Sequence, residues 1–180
     1  MTATAATTAD FRPARAAATL DLSPNQRALV LTACLTMSGV CLYAIMRGLL
    51  GLTPELPHLR HAAIVLHVAT VLPCIPLGGY LLLTRKGTAR HKQLGKLWLL
   101  LMLATAVSAI FIKTNGSYSF IHLFVPMPFH AAWRTVATAR AGDIAGHKKH
   151  LVFTYLAALM LPGIAAFALE GRLMNVLLFG

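Results

Sequence analysis

The sequence predicts an all-α integral membrane protein: a helical bundle of about five transmembrane helices, with segments two to five as its core. Three observations carry that prediction. The 180-residue chain is 57% hydrophobic, with a mean hydropathy of +0.69. Only 12% of its residues are charged, whereas soluble domains carry about 25%. A water-soluble core of this size cannot hide so much apolar surface, so the bilayer must be the solvent. Finally, five apolar runs recur along the chain, separated by loops whose positive charge alternates between dense and sparse.

Residues 1–26 are Ala/Thr-rich, carry Arg12 and Arg15, and contain no apolar core of the kind a secretory signal needs. They read as a disordered cytoplasmic tail ahead of a bundle over residues 27–180. The first run is Ala28–Met46, bounded by Arg27 and Arg47. The Pro-rich stretch Thr53–Pro57 then turns the chain into the second run, Ala62–Leu83. The third, Leu97–Ile112, and the fourth, Tyr118–Trp133, reach the ~17–25 residues of a span only if polar flanks join their helices. Gly116–Ser117 marks the turn between them. The fifth run is Leu151–Leu169. Pro73 and Pro76 in run two, Pro126 and Pro128 in run four, and Pro162 in run five each free a backbone carbonyl that a neighbour must satisfy.

Charge sets the orientation. Arg12, Arg15, Arg27, Arg85, Lys86, Arg90, Lys92, Lys96, Arg134, Arg140, Lys148 and Lys149 fall on one side of a five-span chain. Arg47, Arg60, Lys113 and Arg172 fall on the other. The positive-inside rule makes this a multi-pass protein of a bacterial inner membrane, with a cytoplasmic N-terminus and a periplasmic C-terminus. The net charge of +11 belongs to those loops and an anionic leaflet. No interleaving of aromatic and basic residues points to nucleic acid as a partner. Cys34, Cys41 and Cys74 all lie inside apolar runs and read as small packing residues.

The chemistry, if any, rests on histidine. No Ser-His-Asp set can be assembled, because Asp10, Asp21, Glu55, Asp143 and Glu170 all lie outside the runs. No His-Glu-x-x-His zinc pattern or phosphate-binding glycine loop is present. His67 lies about 7–8 Å into run two at ~1.5 Å per residue, and His122 about 6 Å into run four, both from the outer side. Matched depths would let two helices aim both rings at one metal, and bundle cores hold haem through such pairs. His91 precedes run three and His147 precedes run five, at the inner side, among cationic neighbours that suit haem propionates or headgroups. This two-sided order parallels that of ascorbate-reducible transmembrane cytochromes b in topology alone. His58 and His61, at i and i+3, suggest only adventitious metal binding. His130, about 80° round the helix from His122, reads as packing against a proline-kinked neighbour.

From Lys86 onward the chain resembles a bacterial membrane family termed domain of unknown function 2306. The likeness is carried by Lys86-Gly87-Thr88, His91-x-x-x-Gly95-x-x-Trp98 with Met102, Ser108-x-x-Phe111-Ile112, Ile121-His122-Leu123, Arg140-x-Gly142-Asp143 followed by His147, and the tail Gly171-Arg172-Leu173-Met174 with Leu178-Phe179-Gly180. His67 resembles the family's upstream histidine. The sequence departs from the pattern at Glu170-Gly171-Arg172, where a proline usually precedes the glycine, and at Pro126 and Pro128. The resemblance implies a small multi-span inner-membrane protein and no particular reaction. It singles out His67, His91, His122 and His147.

Two functional expectations follow. One is an electron-transfer protein that binds haem b or a quinone, with His67 and His122 as outer ligands and His91 and His147 as inner ones. The other is a non-catalytic accessory or assembly subunit of a larger respiratory or photosynthetic membrane complex.

Overall fold

The computed structural model describes residues 22–113 and 117–180. The sequence reading of a tail up to residue 21, and the Gly116 half of the Gly116–Ser117 turn, lie outside the described residues. The described chain is an all-α bundle.

Helix α1 spans Pro24–Leu49, starting three residues before Arg27. Its start is fixed by a capping box in which Ser23 and Gln26 exchange side-chain and backbone hydrogen bonds, with Pro24 in the first turn. Helix α2 spans Ala62–Leu83, the apolar run itself, and passes through Pro73 and Pro76. Helix α3 spans Ala89–Ile110, eight residues earlier than the apolar run, because the Thr88 hydroxyl caps the His91 amide. Helix α4 spans Pro126–Arg140. Helix α5 spans Ile144–Ala168, opened by the Asp143 side chain on the Gly146 amide and widened to a π-helical stretch over Thr154–Met160. A short α6, Leu173–Phe179, follows a reversal at Gly171, whose φ of +71° is one that glycine adopts without strain.

Four helices, α1, α2, α3 and α5, are long and apolar enough to cross a membrane. This is a multi-pass membrane protein in contact with the lipid bilayer. The fourth apolar run departs from expectation. Phe120–Phe124 forms a 3-10 turn, and α4 begins only at Pro126. Its 15 residues reach about 22 Å, short of the ~30 Å hydrocarbon core. Two prolines explain the delay. Pro126 takes the first helical position, where its missing N–H costs nothing, and Pro128 follows within the first turn.

Hydrogen bonds between elements show which ends lie together. At one end Arg47 of α1 reaches the α6 carbonyls, His58 reaches Gly171, and Arg172 reaches Ser119. At the other end α4 and α5 run antiparallel, with Arg134 against His150 and Thr135 against His147. We term these the Arg172 end and the His147 end.

The core joins all the long helices. Val30, Met37, Cys41 and Ala44 bury α1 into the same cluster as Cys74, Ile75, Trp98, Met102 and Tyr155. Thus α1 is integral to the bundle, although the sequence reading placed it outside the core of segments two to five. A close approach between helices lies at Gly78 and Gly79 of α2. A Cβ on Gly78 would stand 2.7 Å from the Tyr155 ring and 2.8 Å from Trp98 Nε1. Trp98 Nε1 donates to the Cys74 carbonyl at 2.9 Å, and the Tyr155 hydroxyl to that of Ile75 at 3.0 Å. Three helices therefore meet where two glycines remove the steric barrier and two aromatic donors engage the exposed backbone, as close packing in lipid requires.

Candidate functional site

Between α2, α3, α5 and the 3-10 turn, at the Arg172 end, lies a cavity of about 360 Å³. Its deeper walls are apolar, formed by residues such as Met37, Val71, Met102, Ala158, Pro162 and Phe167. Its polar lining is Thr105 with the basic residues His58, His61, His67, His122, Lys113 and Arg172. The cavity is therefore amphipathic, apolar in depth and basic at the mouth.

His67 lies just over one turn into α2. Its Nδ1 stands 3.0 Å from the Thr105 carbonyl and 3.2 Å from Ser108 Oγ on α3. The Ser108 hydroxyl already donates to the same Thr105 carbonyl at 2.8 Å. Both oxygens act as acceptors, so the proton sits on Nδ1 and the lone pair on Nε2. Such a backbone-held Nδ1–H fixes the tautomer and the direction of the other nitrogen. Nε2 has no hydrogen-bond partner among the described residues. Below His67 the polar thread continues: Thr105 Oγ1 donates to Thr70 Oγ1 at 2.9 Å.

His58 repeats this logic from the loop before α2. Its Nε2 donates to the Gly171 carbonyl at 2.9 Å, which leaves the lone pair on Nδ1. That Nδ1 is buried without a partner. Both imidazoles line the cavity with one ring nitrogen unused, but that of His58 is covered by protein and only His67 Nε2 stands free of such cover.

His122 is different. It stands in the 3-10 turn ahead of α4, not within a spanning helix. Its Nδ1 accepts from the Ser119 amide at 3.1 Å, and its Nε2 donates to the Ile112 carbonyl at 2.8 Å. Both nitrogens are used to close the loop between α3 and α4. The structure brings His67 and His122 to the same cavity, but only His67 keeps a nitrogen for a ligand. Axial ligation by both would require His122 to release its backbone bonds. Among the described residues, no group of three or more His, Cys, Asp or Glu side chains gathers to hold a metal ion.

His91 and His147 lie at the His147 end, on the first turns of α3 and α5. His147 Nδ1 donates to the Thr135 carbonyl at 3.0 Å, while His91 Nδ1 is buried without a partner. The longer α3 and α5 put both rings inside helices rather than in the loops ahead of them. His130 stacks edge-on against Trp133 at 5.8 Å and lines the cleft between α4 and α5.

Sequence reasoning gave His58 and His61 only adventitious metal binding and no place in the site. The signal was present. A Pro57-His58-x-x-His61 stretch directly before a spanning helix sets both rings at that helix's mouth. Comparison with protein-family models, curated proteins and solved structures gives no match to this chain.

Proposed function

We propose that this chain is a quinol-binding protein of the bacterial inner membrane, with the His147 end cytoplasmic and the Arg172 end periplasmic, serving electron transfer through the quinone pool. The orientation rests on the positive charge gathered in the loops of the His147 end.

The observation that carries the reading is the unengaged lone pair on His67 Nε2, in a cavity that His58 also lines. An unengaged acceptor favours a ligand that brings O–H donors. A hydroquinone carries two. Its quinone form carries only carbonyl acceptors, for which Lys113 and Arg172 supply the donors at the mouth. The apolar depth of the cavity suits an isoprenoid tail. No buried carboxylate competes for the hydroxyl protons, because the described acids Glu55, Asp143 and Glu170 lie outside the helices.

The test is calorimetric titration of the reconstituted protein with a short-tailed benzoquinol held reduced, and then with its quinone. The quinol should bind about tenfold more tightly, since an unengaged acceptor penalises a ligand without donors. His67→Ala should remove most of that preference. Equal affinity for both forms would overturn the reading. So would a Soret band that grows with added haem and is lost in both His67→Ala and His122→Ala, which would establish bis-histidine haem instead.

A further inference from the structure

A second cleft lies at the His147 end, with about 820 Å³ of space, between α4 and α5 and beside the start of α1 at Gln26. We infer that it is a binding site for one anionic phospholipid, with the headgroup phosphate held by Lys149 and His150, which line the cleft, and by Arg134, which stands behind His150 at its edge. The site is independent of the quinol cavity, with which it shares no lining residue.

The headgroup end is built from α4 and α5 together. Arg134 Nε donates to His150 Nε2 at 3.3 Å. Nε2 is then the acceptor, the ring proton sits on Nδ1, and His150 presents a donor. The Arg134 guanidinium also lies 5.7 Å over the Trp133 ring, which steadies its plane. Its terminal nitrogens make no further hydrogen bond among the described residues. Lys149 is exposed on the neighbouring turn and lines the cleft. A planar guanidinium beside an ammonium and an imidazole N–H is a phosphate-binding set.

The remainder of the cleft is apolar. Met127, Val152, Phe153, Leu156 and Ala157 line it below the cations. From Lys149 to Ala157 is eight residues, about 12 Å at ~1.5 Å each. One hydrocarbon leaflet is about 15 Å deep. A ligand that fits therefore has its charge at the interface and an acyl chain running down one leaflet. Trp133, 63% exposed, stands beside the cations, where interfacial aromatics mark the headgroup level. Basic clefts between helices on the cytoplasmic side select anionic headgroups on the same physical grounds.

The experiment is native mass spectrometry of the full chain released from nanodiscs of phosphatidylglycerol mixed with phosphatidylcholine. The wild type should retain one phosphatidylglycerol in preference to phosphatidylcholine. Arg134→Gln and Lys149→Gln should each weaken that preference roughly fivefold per positive charge removed. Lys149→Glu serves as the variant least able to disturb folding, because the side chain is exposed, and it should abolish the preference. Equal retention of the two lipids by the wild type would overturn the proposal. A preference unchanged in Lys149→Glu would overturn it too.

Discussion

The Tyr155 hydroxyl on α5 donates to the Ile75 carbonyl on α2 at 3.0 Å, in a contact with no exposed surface on the tyrosine. Ile75 lies between Pro73 and Pro76 on α2. The donor reaches it because Gly79 and Gly78 leave room for the ring.

This makes Gly78 a position with no room for a side chain. Gly78→Ala should destabilise the protein by about 1–3 kcal/mol, the usual cost of overpacking. Tyr155→Phe, which keeps the ring, should cost only about 0.6–1 kcal/mol for the lost hydrogen bond. Denaturant titration in micelles gives the order of the two. A larger loss in Tyr155→Phe than in Gly78→Ala would place the stabilisation in the hydroxyl rather than in the close approach.

Arg47 fastens the end of α1 to α6. Its guanidinium donates to the carbonyls of Leu177, Leu178 and Gly180 on one side and Leu52 on the other. Carbonyls at a helix C-terminus have no partner within the helix. Arg47→Ala should therefore speed amide exchange throughout α6 while α2 and α3 exchange as before, a local cost on the order of 1–2 kcal/mol. Hydrogen exchange read by mass spectrometry resolves the segments.

His67 and His122 should part company on substitution. His122→Ala removes the bonds to Ser119 and Ile112, so limited proteolysis should cut between residues 113 and 125 much faster. His67→Ala should leave that cleavage rate as it is, because its partners Thr105 and Ser108 lie within α3. Equal acceleration in both variants would mean that His67, too, is mainly a structural group.

All three cysteines are free thiols, with Cys41 and Cys74 buried and Cys34 packed against Gly79. A membrane-impermeant maleimide should label none of them in folded protein and all three after denaturation. Labelling at Cys34 alone in the folded state would show that α1 leaves α2 at times.

The spans were legible where hydropathy and helix boundaries coincide. Ala62–Leu83 is both the apolar run and the observed helix, because His61 and Thr84 end both at once. Elsewhere capping decides. Thr88 starts α3 amid Arg90, Lys92 and Lys96, which hydropathy reads as loop. Phe120–Phe124 is apolar enough to count as span yet forms a 3-10 turn, because Pro126 starts the next helix. The outer histidines were found, but depth along a linear run could not tell a ring with a free nitrogen from one bound on both sides. That distinction arises from Ile112, ten residues away in sequence.

The π-helical stretch Thr154–Met160, seen in the Leu161 amide bonding to the Leu156 carbonyl, has a consequence for phase. Each such bulge holds one residue more than a regular turn, so everything beyond it is rotated by about 100°. Before the bulge α5 carries Lys149 and Val152 along the cleft at the His147 end; beyond it Pro162, Ala166 and Phe167 wall the cavity at the Arg172 end. A single-residue deletion at Ala157 would let α5 straighten into regular winding and swing that wall toward lipid. The two compartments of this protein are thus kept in angular register by the insertion of one residue.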